Sequence, residues 1–207
     1  MDRRRFLETV AVAGALAGAP FVARAALVPP AADAAQRVLP AATPVRIVHR
    51  ADLAPCVAAA ESLQRALSTA LSTAGLAPAS IAVDAAAFAR FADIDSIVAG
   101  STGARLVALL DDSGAVLLQQ VAAARGGVCL EEAQLRFDGE FVRHCARRAG
   151  EGAARMWSEP LAGWPQRLAR RHAEGLSGTG AQPLAAGDAI APHRPGAAGI
   201  VSLVIAL

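Results

Sequence analysis

Two adjacent carboxylates, Asp111 and Asp112, follow an unbroken apolar run over residues 106–110. Such a run reads as a strand covered on both faces, and the carboxyl end of a parallel strand is where open α/β sheets place their ligands. Paired carboxylates there suit cation binding or general acid–base work. A plainer reading gives Asp112 to a helix N-cap and leaves only Asp111 over. The stretch AGSTGAR at 99–105 is a second candidate. Its Ser101, Thr102 and Gly103 amides would form an anion nest beside Arg105, although a turn before a strand accounts for the same letters. It has neither the spacing of a dinucleotide fingerprint nor that of the G-x-S-x-G nucleophile elbow. LSGTGAQ at 176–182 is a weaker version of the same loop.

The four histidines, His49, His144, His172 and His193, form no H-x-x-x-H or H-E-x-x-H pair, so no metal site is assigned. A haem or zinc site would have to be assembled from His144 with Cys145 or Met156. Cys56, Cys129 and Cys145 are an odd set. In an oxidising compartment Cys129–Cys145 is the bridge nearest in sequence; the alternative is three small buried hydrophobes. Arginines cluster in the C-terminal half and acids in the middle (Asp93, Asp95, Asp111, Asp112). With two tryptophans as anchors, Arg143, Arg147, Trp157, Trp164 and Arg170 outline a docking surface for a partner or an anionic ligand. Solvated helix faces and core packing explain the same residues.

Composition removes several enzyme classes. All twenty basic residues are arginine, and the chain has no Lys, Tyr or Asn. There is therefore no lysine for a Schiff base or a phosphate loop, and no catalytic Tyr–Lys pair. No C-x-x-C or C-x-x-C-H is present for thioredoxin-like chemistry or covalent haem. The cofactor stays unknown.

The elements that must hold these residues read as one α/β domain over 44–207, mostly a parallel sheet flanked by helices. PVRIVHR alternates as a strand, and Asp52 stands where it would cap a helix through residue 74. Leu53, Val57, Ala60, Leu63, Leu67 and Leu71 give that helix its apolar stripe, and Gly75 ends it. SIAVD is a second strand, with Asp84 capping AAAFARFA. After the 106–110 strand, Asp112 or Ser113 caps a helix that stops at Gly126-Gly127, and VCL begins a further strand. Asp138-Gly139 between two alternating runs signals a hairpin; the same letters allow Asp138 to cap a helix with Phe141, Val142 and Cys145 inward. Residues 164–173 read as helix with Gly175 past its end, 176–199 as a Gly/Pro-rich loop, and IVSLVIAL as a terminal strand. An apolar terminus of that kind is sticky unless it lies within the sheet.

The N-terminus carries an address. Arg3, Arg4 and Arg5 precede a short apolar stretch softened by Gly14, Gly18 and Pro20, and Ala23-Arg24-Ala25 is a small-x-small cleavage pattern. The continuous apolar part, residues 10–19, is too short for a hydrocarbon core that takes roughly 20 residues to cross, so no permanent anchor is expected. RRRFL resembles the bacterial twin-arginine export signal, with Asp2 and Glu8 departing from the usual pattern. The resemblance covers about the first 25 residues. It implies folding before export through the twin-arginine machinery, cleavage near Ala25, an Ala/Pro-rich tether over 26–43, and a periplasmic or secreted domain. Proteins on that route often travel with a cofactor or a co-exported subunit. Loss of Arg3, Arg4, Arg5 and Arg24 from twenty basic residues, and of Asp2 and Glu8 from eighteen acidic ones, leaves sixteen of each. A neutral body has no general pull on nucleic acid.

The expectation is a non-catalytic binding or accessory subunit of an exported redox or uptake system, meeting a protein partner or small ligand. The alternative is a hydrolase-like α/β enzyme using Asp111 and Asp112 near the 100–103 loop. A third reading is a haem or metal carrier built on His144 and Cys145.

Overall fold

The computed structural model describes residues 43–72, 76–151, 153–177 and 199–207. The segments expected to be an export signal and, nearly in full, its tether lie outside the described residues, as do the expected helix stop at Gly75, His193 and most of the 176–199 loop. The elements in chain order are β1 (Val45–Arg50), α1 (Ala54–Leu71), β2 (Ala79–Val83), α2 (Ala85–Ala89), α3 (Phe91–Gly100), β3 (Arg105–Leu110), α4 (Asp112–Ala124), β4 (Val128–Asp138), β5 (Phe141–Arg148), β6 (Arg155–Pro160), α5 (Trp164–Ser177) and β7 (Gly199–Ala206). None of these helices is long and apolar enough to cross a membrane.

One seven-stranded mixed sheet runs in the order β2-β1-β3-β7-β4-β5-β6. It is the expected α/β sheet flanked by helices, with the hairpin formed and the terminal strand inside. Parallel pairing occupies the β2-β1-β3 half, where Val48 faces Ile81 and Ala108. From β3 onward the pairs are antiparallel, because β7 returns between β3 and β4 and the β4–β5–β6 meander follows.

Strand alternation sends two apolar sets to opposite faces. On one face Val45, Ile47, Val107, Leu109 and Leu135 pack with Leu63 and Leu67 of α1 and Leu168 of α5. On the other, Val48, Leu106, Ala108, Leu110 and Leu203 pack with Ile94 of α3 and Leu118 of α4. β3 is buried along its whole length, as its continuous apolar sequence demands. The same holds for most of β7, so the sticky terminus is covered on both faces and both edges.

Several local signals fell elsewhere. Leu53, not Asp52, takes the N-cap position of α1, and no side chain caps it. Asp111, not Asp112 or Ser113, is the N-cap residue of α4. Gly175 lies inside α5 rather than after it. β4 continues through AQLRFD to meet β5 across Gly139-Glu140. Gly139 has φ 59° at the first turn position, as a type II′ hairpin requires. Asp84 does cap α2, accepting from the Ala87 amide at 2.8 Å.

α4 ends in a Schellman motif. Gly126, at φ 80°, donates to Ala123 and Gly127 donates to Ala122. Gly126→Ala should therefore cost about 1–2 kcal/mol for a left-handed non-glycine. Gly175→Ala should add up to ~1 kcal/mol, because a methyl in the last turn of α5 meets open space. Urea unfolding of the two variants checks both signs; equal effects would contradict the assignment of these helix ends.

Candidate functional site

The β1–α1–β2 connection crosses one face of the sheet, and β3–α4–β4 crosses the other in the opposite direction. A crevice therefore opens between the carboxyl ends of β1 and β3, the switch point at which open α/β sheets bind ligands. Arg50, the last residue of β1, fills it. Its Nε and Nη2 donate to the two Asp52 oxygens at 2.7 Å each, and its Nη1 donates to Asp111 Oδ1 at 2.5 Å. Ser113 Oγ donates to the other Asp111 oxygen at 2.5 Å. The Phe88 ring of α2 lies 6.0 Å from the guanidinium carbon. Gly114 leaves room for this packing: a Cβ there would stand 2.8 Å from Asp111 Oδ1 and 3.4 Å from Phe88.

Arg50 is only 8% exposed, so the two carboxylates neutralise it where it stands. Hydrogen bonding to Asp52, helped by Asp111, holds its ionisation above the ordinary arginine value; the same bond holds Asp52 below the usual carboxylate range. Cys56, in the first turn of α1 beneath, is pushed up to about 12 by burial. Its thiol stays protonated at neutral pH and is no nucleophile. Asp112 turns away and accepts from Arg136 of β4 at 2.9 and 3.1 Å. The two neighbouring aspartates thus serve two different arginines and form no carboxylate pair.

The 100–103 loop lies at the amino end of β3. The six-residue strand separates it from Asp111, roughly 20 Å at ~3.3 Å per residue. The enzyme arrangement that joined them is not assembled. Nor is the backbone nest, since its amides bond internally: Ser101 to Val98, Thr102 to Ala99, Gly103 to Leu207 and Ala104 to Ser101. The Ser101 and Thr102 hydroxyls close on Ile97 and Ala99.

The docking set is divided as well. Trp157 of β6 and Trp164, the first residue of α5, are both buried in the core. Arg143 and Arg147 alternate to the opposite face of β5 from Val142 and Ala146. Arg170 is exposed on α5, at the rim of the α1–α5 groove. His144 and Cys145 also point to opposite faces of β5, so one ion cannot be held by both. Among the described residues no three His, Cys, Asp or Glu side chains gather as a metal site. The three cysteines are free. Cys145 stands opposite Gln134; Cys129 is five residues farther along β4, beyond the ~7 Å Cα limit for a disulfide.

A polar cluster that sequence reasoning missed lies under α5. His144 and Trp157 stack with centroids 4.5 Å apart, and the Arg171 guanidinium lies 4.5 Å over the Trp157 ring. Glu159 Oε1 is 2.7 Å from His144 Nε2 without hydrogen-bond alignment, and Glu159 Oε2 is 2.9 Å from Arg167. Burial would raise Glu159, but His144, Arg167 and Arg171 outweigh it and leave it below the usual range. Burial depresses His144 despite Glu159, so the ring is neutral at pH 7. His172 is buried beside Ser202 at 2.8 Å and is depressed by burial too. A faint signal existed: alternation over RMWSEP places Trp157 and Glu159 on one face.

No protein-family model, curated protein or solved structure matches this chain.

Arg50→Met should lower the stability, because it leaves the carboxylates of Asp52 and Asp111 near each other without their cation. Asp111→Ala should cost less, since Asp52 still holds the guanidinium; chemical denaturation measures both, and a neutral Arg50→Met would contradict the pairing. His144 and His172, like the half-buried His49, take up protons more readily in the unfolded chain, whose value is near 6.5. Their stabilisation is thus complete above about pH 6.5 and falls with acidification. Tm measured from pH 8 to pH 5 should drop on the acid side, and His144→Phe should flatten part of that drop.

Proposed function

We propose that the mature domain is an exported, non-catalytic binding or accessory protein. It would serve an extracytoplasmic redox or uptake system in the periplasm after twin-arginine export. The observation that supports this reading most is the closed charge set at the carboxyl edge. At the place where an α/β enzyme of this layout would keep a free acid, base or nucleophile, Arg50, Asp52, Asp111 and Ser113 engage one another. The nearby thiol is protonated. A balanced mature charge and the absence of lysine-based chemistry point the same way.

Asp111 lies at the switch point itself, and that one observation favours a second reading, a small enzyme whose substrate displaces Ser113 from Asp111. Asp111→Ala separates the two. On the binding reading, capture of the natural partner or ligand by the purified mature chain survives the substitution. An activity that the substitution abolishes in a folded protein would favour the enzyme.

Export has its own test. Intact-mass spectrometry of periplasmic extract should find a chain lacking residues 1–25, and Arg3→Lys with Arg4→Lys should abolish that species. A full-length chain in the cytosol with Met1 attached would overturn the export reading.

A further inference from the structure

We propose that Arg105 anchors an oxyanion-binding site at the amino end of β3, taking the carboxylate or phosphate group of a small molecule. Arg105 is 6% exposed, and its Nη1 is buried with no hydrogen-bond partner. No ion pair reaches it among the described residues. The other arginines with well-covered side chains are matched: Arg50 by Asp52 and Asp111, Arg136 by Asp112, and Arg171 by Glu159. Burial alone acts on the ionisation of Arg105, with no carboxylate near enough to oppose it.

Among the described residues no side-chain carboxylate is close enough to act on it. On the sheet Arg105 stands between Val45 and Ala206. It alternates with Val107 and Leu109, which places it on the face covered by α1 and α5. An uncompensated buried cation is among the costliest features a fold can hold. A guanidinium there matches carboxylate or phosphate through paired N–H donors. Thr102 and Gly103 beside it are exposed, so solvent reaches the start of the strand. The recognition belongs to the side chain, because the loop amides are already bonded.

The test is thermal unfolding of the mature chain against inorganic phosphate and against acetate, with chloride balancing ionic strength. Phosphate stabilises folds generally by exclusion from their surfaces, so the criterion is a saturable rise in Tm that depends on Arg105. The wild type should show it with phosphate, acetate or both, and the anion that saturates at lower concentration identifies the group bound. Arg105→Gln should lose the saturable part. Arg105→Lys keeps the charge without the fork and should need at least about ten times more anion. Should Arg105→Gln not fold, calorimetric titration of the wild type against Arg105→Lys decides. A wild type with no saturable response overturns the proposal, as does an unchanged response in either variant.

Discussion

Leaving a buried guanidinium unpaired is costly, and the pairing of Arg50 with two carboxylates organises the parallel half of this sheet. Arg50 ends β1 inside the crevice between β1 and β3, so two carboxylates must come to it. Asp52 arrives from the turn before α1 and Asp111 from the turn before α4. The starts of two helices on opposite faces are thereby tied to one strand end. α1 and α4 begin without side-chain caps, because the residues that would cap them serve Arg50 or stand one position away.

The two ends of the sheet differ in charge accounting rather than in composition. At the carboxyl edge one cation meets two anions, and the hydrogen-bonding capacity is turned inward. At the amino edge Arg105 is as deeply buried and meets none. Under α5 the balance is reversed: the single carboxylate of Glu159 meets the guanidiniums of Arg167 and Arg171, beside a neutral His144. Among the described arginines whose side chains are well covered, Arg105 is the one without a carboxylate partner.

Much of the architecture is legible in the sequence because apolar periodicity carries it. The unbroken 106–110 run, the heptad-like stripe of α1 and the apolar terminus all correspond to elements whose burial their letters require. β6 and α3 were harder. RMWSEP exposes Met156 and buries only Trp157 deeply, and FADIDSIVAG buries only Ile94 and Val98, so neither shows a full stripe. The candidate site was half legible. Its place after a strand marks Asp111, whereas nothing marks Arg50, because a strand-end arginine looks solvated until the fold closes over it. Asp52 and Asp112 read as caps on propensity alone; the need to pair Arg50 and Arg136 outweighs a cap contribution of about 1 kcal/mol. The Cys129–Cys145 bridge and the His144–Cys145 site failed for one geometric reason: register and pleat, invisible to residue spacing, put the partners too far apart or on opposite faces.

Titration of the Asp52 carboxyl by carbon-detected NMR, in the wild type and in Arg50→Met, tests the closed crevice most directly. The account predicts that Asp52 titrates below the ordinary aspartate value of 3.8 in the wild type and returns toward it when the guanidinium is removed. An ordinary value in both proteins would mean that the carboxylate does not hold Arg50. The crevice at the switch point would then be open to a substrate.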